Sequence, residues 1–433
     1  MMNYDEAAVY LYPGFLVSKG LAPYVDFSYS QPPGLLMFGG LTNLRFISAG
    51  LVLLSAGVVA LLGRKFGVGW FACVFFLSSP MIMEFGKVFM GDIPLIAITL
   101  AFLYVVIVHR DRMYAILVAG VLIWLGFMVK IQAIVIMLPV VFYLMLVKNR
   151  FRYVFAFIVF MGLFTYTVVS YDGLIEDVFI KNAVVFGFGD RVFYLGSTIA
   201  AFIYKSIIML PFALVGAKEL YDRRGEYKFN VLGVFIMTAL ITVVLHTHIN
   251  FRHLMFIIPA LAILAGIGLK KMNSGVLTIG VLVVCILVPF GDFHESTLYD
   301  SDTRDIVSFV KGVTTEGDYI YTDEPMIGFL SERMMPDSAI MWNGLGRERG
   351  VAVSDVIIDI YTHKPKLVLL VTGVGYKKMN GPRMISTFGE DDSERLIEHL
   401  DRTYDNHVSF KRNYQDMTLW VDNIDDELYN KIG

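Results

Sequence analysis

Residues 113–147 read MYAILVAGVLIWLGFMVKIQAIVIMLPVVFYLMLV, an apolar run broken by one charge, Lys130. As a single helix it would measure about 52 Å at 1.5 Å per residue, far more than a hydrocarbon core of ~30 Å. The run therefore reads as two membrane spans that meet at Lys130. Basic residues close both ends, Arg110 and Arg112 before it and Lys148, Arg150 and Arg152 after it.

The same reading carried outward predicts about ten spans. They are Arg45–Leu62, Val68–Met83, Ile93–Val108, Met113–Val129, Ile131–Val147, Tyr153–Ser170, Leu195–Ala217, Phe229–Leu245, Leu254–Leu269 and Gly275–Phe290. Composition agrees, with 56% of the 433 residues hydrophobic and only 17% charged. A net charge of −3 gives no footprint for nucleic acid. Cys73 and Cys285 both sit inside apolar runs, so neither suggests a disulfide or a metal framework.

Charge in the loops sets the orientation. One alternate set holds Arg64, Lys65, Arg110, Arg112, Lys148, Arg150, Arg152, Lys218, Arg223, Arg224, Lys228, Lys270 and Lys271, 13 basic residues. The other holds five: Lys87, Lys130, Lys181, Arg191 and Arg252. The positive-inside rule puts the first set in the cytoplasm. Residues 1–44, the second set and residues 291–433 are then expected on the external face of a plasma membrane. No signal peptide precedes the external first segment, so a further spanning helix is expected upstream of Met1.

Residues 1–44 thus form a first external loop, 45–290 a transmembrane domain, and 291–433 a soluble domain. Within the last, residues 318–323 (DYIYTD), 366–371 (KLVLLV) and 417–421 read as strands. Ser301–Val310 and Val353–Tyr361 read as helices between them, the pattern of a small α/β layer structure.

Ionisable residues gather where spans meet the external face. They are Asp5-Glu6, Asp26, Lys87 and Asp92, Lys130, and the stretch His246-Thr247-His248-Ile249-Asn250-Phe251-Arg252-His253. Charges at membrane depth are costly and face protein or a watery cavity, which makes these functional candidates. Plainer roles exist for each. Lys87, Lys130 and Arg252 can snorkel; Asp5 and Glu6 can cap a helix over Ala7–Val17. Asp92 can cap the span opening Ile93-Pro94, and the histidine spacing does not match a zinc-binding helix.

Taken in order, the elements are Asp5-Glu6, Gly20-x-x-Pro23-Tyr24-x-Asp26, Gln31-Pro32-Pro33, Lys87-x₄-Asp92-x-Pro94, Gly126-x₃-Lys130 with Pro139, and Arg252-His253 with Pro259. This series resembles the GT-C superfamily of integral membrane glycosyltransferases. It is most similar to glycosyltransferase family 39, the protein O-mannosyltransferases, and the aminoarabinose transferases. The likeness spans about residues 4–140 and 246–268. It implies a GT-C fold and transfer of a sugar from a polyprenyl-phosphate donor to a glycan, lipid or protein acceptor, inverting the anomeric centre. Asp5 would be the base beside Glu6, with Asp92 placing acceptor or metal. Lys130 and Arg252 would hold the donor phosphate, assisted by Lys87 and His253. A divalent metal, if used, would draw on Asp5, Asp92 and His248. Ser30-Gln31 stands where aminoarabinose transferases carry Glu-Lys, and Asp26 is the candidate substitute. A transporter or flippase, and a non-catalytic GT-C protein that binds polyprenyl phosphate, are the alternatives. The one-sided gathering of charge and the large external domain argue against the former.

Overall fold

The computed structural model describes residues 7–38, 44–147, 151–181, 191–245, 251–291, 300–340, 352–374, 390–412 and 415–421. A π-helical turn over Ala7–Leu11 runs directly into α1 (Tyr12–Ser18), and a 3₁₀ turn covers Pro33–Phe38. The membrane helices follow as α2 (Leu44–Lys65), α3 (Gly69–Leu77), α4 (Pro80–Phe85), α5 (Asp92–Val108), α6 (Met113–Val129) and α7 (Gln132–Leu146). Then come α8 (Val154–Ser170), α9 (Arg191–Ser206), α10 (Leu210–Asp222), α11 (Tyr227–Leu245), α12 (Ile258–Met272) and α13 (Gly275–Gly291). By length and composition alone, three described stretches can cross a bilayer: Leu44–Lys65, Phe151–Ser170 and Leu254–Met272. Shorter apolar helices, α5 to α7 among them, pack beside these.

Two anticipated spans differ from a single rod. Leu195–Ala217 is two helices meeting at 92°, with Pro211 in the first turn of the second. Proline lacks an amide hydrogen and suits a helix start, so the apolar run turns there although its hydropathy continues. Val68–Met83 breaks likewise, at Ser78-Ser79 before Pro80. In hydrocarbon, helices associate by close packing rather than by exclusion of water. Glycine supplies the room between α10 and α12: a Cβ on Gly216 would strike the Leu264 carbonyl, and one on Gly268 the Phe212 carbonyl.

The C-terminal domain holds α14 (Asp300–Val313), β1 (Ile320–Thr322), α15 (Pro325–Ser331), α16 (Asp337–Ile340) and α17 (Val353–His363). It continues through β2 (Leu367–Val374), α18 (Glu390–Thr403), β3 (Asn406–Arg412) and β4 (Gln415–Val421). The sheet order is β1-β2-β4-β3. β1 lies parallel to β2 through Ile320↔Leu367, while β4 runs antiparallel to both β2 and β3. Leu367, Val368, Leu369 and Leu370 of β2 and Met417, Thr418, Leu419, Trp420 and Val421 of β4 are buried and all but Thr418 apolar, as central strands covered by helices must be. Three strands and two helices coincide with the sequence expectation, whereas α15, α16, α18 and β3 were not anticipated.

Two cores organise the chain. One spans the membrane helices, and the other lies in the C-terminal domain. The first segment contributes to both: Tyr10, Leu11 and Leu35 belong to the membrane core, while Tyr12, Phe15, Leu16, Phe27 and Leu36 belong to the other. Burying Phe15 and Leu16 contributes about 1.5–3 kcal/mol each, so the segment is an integral part of the C-terminal domain's packing. Residues 12–36 and the C-terminal domain therefore share one side of the membrane helices.

Candidate functional site

The break at Lys130 builds the site. α6 ends at Val129 because Lys130 turns to extended backbone (φ −161°, ψ 134°), its amide still donating to the Gly126 carbonyl at 2.8 Å. The chain re-enters the helical layer as α7 two residues later. Lys130 is 5% exposed, and its Nζ donates to Asp92 Oδ1 at 2.7 Å. Asp92 is 3% exposed and stands in the first turn of α5, where the helix dipole favours negative charge. An ion pair out of water must recover several kcal/mol of desolvation per ion, which only close geometry permits. Asp92 and Lys130, assigned separate roles on sequence, are thus brought together as a mutually neutralising pair.

The first segment packs against residues beside this pair. A Cβ on Gly91 would lie 2.9 Å from the Tyr10 hydroxyl oxygen and 3.2 Å from Leu35 Cδ1. One on Gly34 would lie 2.6 Å from the Met128 carbonyl oxygen. The π-helical turn and the 3₁₀ turn therefore press on the residues flanking Asp92 and Lys130. Phe89 joins them, edge-on to Tyr10 at 6.3 Å and to Phe38 at 5.9 Å.

Asp177, in a π-helical turn over Ile175–Lys181, fastens the other end of the segment. Its Oδ2 accepts from Ser28 Oγ at 2.9 Å and from the Tyr29 amide at 3.0 Å, and the residue is 4% exposed. Tyr24 donates to the Gln31 carbonyl at 2.7 Å and packs edge-on to Tyr171. Burial pushes the Tyr24 phenol well above its ordinary range, with Tyr171 and Asp177 adding to the rise, so it remains a neutral donor. Sequence reading passed over Asp177 and Tyr10. The contact from Asp177 to Tyr29 spans 148 residues, and no local pattern encodes it.

The remaining candidates separate. Asp26 is exposed and accepts from the Ala22 amide at 2.7 Å, which gives it a turn-holding role. Lys87 is exposed in the turn before α5, a turn fixed by Ser48 Oγ donating to the Val88 carbonyl at 2.9 Å. Arg252 and His253 lie on a 3₁₀ turn over Phe251–Ile257 that leads into α12, their side chains outside the described residues. Asp5, Glu6 and His248 lie outside the described residues altogether. Among the described residues no three of His, Cys, Asp or Glu gather as a metal site. Asp92 fits a metal poorly, because the Lys130 ammonium already sits against its carboxylate. A cavity of about 500 Å³ at the end of α8 is lined by Tyr171, Asp172 and Glu176 among others. Its two carboxylates would repel a phosphate.

Neither a family model nor a curated protein sequence matches the chain. Solved structures do. ArnT from Cupriavidus metallidurans in the apo state aligns at TM-score 0.64 and 14% identity, over 97% of this chain and 93% of that one. The same protein bound to undecaprenyl phosphate aligns at TM-score 0.62 and 14% identity, over 97% and 94%. The chain therefore has the fold of ArnT, a multi-span helical membrane fold, here with a small C-terminal sheet, which is the architecture that the sequence resemblance implied.

Proposed function

We propose that this chain is a membrane glycosyltransferase that moves a sugar from a polyprenyl-phosphate donor to an acceptor at the external face of the plasma membrane. The observation that carries the reading is the buried Asp92–Lys130 pair, with the first segment packed beside it. It sits in a fold that, in ArnT, is found with undecaprenyl phosphate. Nucleotide sugars are charged and cytoplasmic, so an external transferase needs a donor delivered within the bilayer. A buried cation beside a helix start suits the phosphate of such a donor.

In this reading Lys130 meets the donor phosphate as a point charge, and Arg252 meets it as a bidentate donor, with Lys87 and His253 at the rim. Asp92 holds Lys130 in place while the donor is absent and yields it as phosphate arrives. Asp5 takes the proton of the acceptor hydroxyl, with Glu6 beside it, and the hydroxyl displaces the phosphate from the anomeric carbon with inversion. Asp26 shapes the loop that the acceptor crosses. A divalent cation, if one takes part, would have to draw on Asp5 and His248, because Asp92 is engaged by Lys130.

The test is incubation of the purified protein with a panel of polyprenyl-phosphate sugars, scored for loss of donor. Consumption of one donor, with inverted product, is the expected result. Donor binding without consumption across sugars and acceptors would make the chain a non-catalytic binder. Orientation has its own check. Topology reporters at Arg224 and Lys271 should read cytoplasmic and those at Asp190 and the C-terminus external; a cytoplasmic C-terminus would remove the shared face on which the reading depends.

A further inference from the structure

The geometry points to Tyr12 as a positioning residue: through it, the C-terminal domain sets the helical run that follows Asp5 and Glu6 in sequence. This inference rests on the proposed role of Asp5 as base. Tyr12 is 0% exposed, yet its hydroxyl is fully used. It accepts from the Met335 amide at 2.6 Å and donates to the Arg333 carbonyl at 3.1 Å. Burial pushes its phenol far above the ordinary range, so the hydroxyl stays neutral and keeps its proton.

The segment that receives it is itself anchored. The Ile320 amide donates to the Met334 carbonyl at 2.9 Å, tying the segment to β1. The buried Arg333 guanidinium donates through Nε to Thr314 Oγ1, through Nη2 to the Thr314 carbonyl, and through Nη1 to the Ser331 carbonyl, all at 2.8–2.9 Å. Gly328 closes on the other side: a Cβ there would lie 3.1 Å from Tyr12 Cε2 and 2.6 Å from Met335 Sδ. Tyr12 thus plugs into a socket of the domain's backbone that is itself hydrogen-bonded to β1 and to Thr314.

Two residues earlier, Tyr10 faces Gly91 beside Asp92 and belongs to the membrane core. One short helical run is therefore gripped by the membrane helices through Tyr10 and by the C-terminal domain through Tyr12. Phenylalanine would fill the same volume at position 12, so packing alone does not require the hydroxyl. A reacting group misplaced by about 1 Å can cost on the order of a hundredfold in rate, and a run held at two points resists such a shift.

The experiment compares wild type, Tyr12→Phe and Gly328→Ala, both substitutions lying away from the Asp92–Lys130 pair. Each should lower kcat by roughly 10–100-fold. Donor KM should stay within about threefold, since neither variant touches the proposed phosphate cations. Hydrogen exchange should accelerate at backbone amides 7–18 and stay unchanged in α5 and α6. Wild-type kcat together with wild-type exchange in Tyr12→Phe would overturn the assignment. So would equal losses of kcat, donor affinity and melting temperature, which would mark Tyr12 as ordinary core. If wild type consumes no donor while exchange still rises at 7–18, the two-point grip holds and the proposed function falls instead.

Discussion

Replacing Asp92 by alanine is expected to destabilise the membrane domain by about 3–5 kcal/mol, because it strands the Lys130 ammonium in a site almost closed to solvent. Lys130→Met should cost a similar amount, leaving the carboxylate uncompensated. The double substitution Asp92→Leu with Lys130→Met is expected to recover most of that loss. Two apolar side chains of like volume need no desolvation, and replacement of a buried pair by hydrophobes is often neutral or stabilising. A double-mutant cycle in thermal unfolding, on protein in lipid nanodiscs, measures the coupling directly. The functional readout separates from the structural one: the double variant should fold but lose affinity for the donor phosphate. Single variants that melt like wild type would mean that water reaches the pair. A double variant that binds donor normally would remove Lys130 from the phosphate site.

How far the sequence discloses this site depends on the range over which each feature is encoded. Membrane helices were legible because hydropathy is a local property, and Lys130 stood out as the single charge in the run 113–147. That it pairs with Asp92 was not legible: each looked like a helix-end residue, and only the packing of α5 on α6 brings them to 2.7 Å. The bend after Ser206 escaped because apolar residues continue through it, although Pro211 was the available signal. In the C-terminal domain β2 and β4 were visible as apolar runs. α18, EDDSERLIEHLDRT, was missed because its polar residues hide a stripe that includes Leu396 and Leu400, the part that packs. The grip on Tyr12 crosses 323 residues and falls on backbone atoms of Met335, so no side-chain pattern could announce it.

The position for which the sequence argument goes furthest is Asp5, where Asp5→Asn is expected to lower turnover by about 10²–10⁴-fold while donor affinity survives. An acceptor hydroxyl is a weak nucleophile at neutral pH, and a carboxylate that accepts its proton during attack supplies that factor. Asparagine keeps the shape and removes the basicity, which separates chemistry from packing. Glu6→Gln is the companion control, with a milder loss expected if Glu6 only supports its neighbour. The contrast with Lys130→Met is the informative one. Removing the base should depress kcat alone, whereas removing a phosphate cation should weaken donor binding, because each charge-assisted contact is made already in the ground state. The measurement is single-turnover rate beside donor affinity in the same purified variants, with melting temperature as the check on folding. Near-normal single-turnover rates in Asp5→Asn would sink the base assignment. Asp5 would then serve only as a cap for the helical run that begins at Ala7.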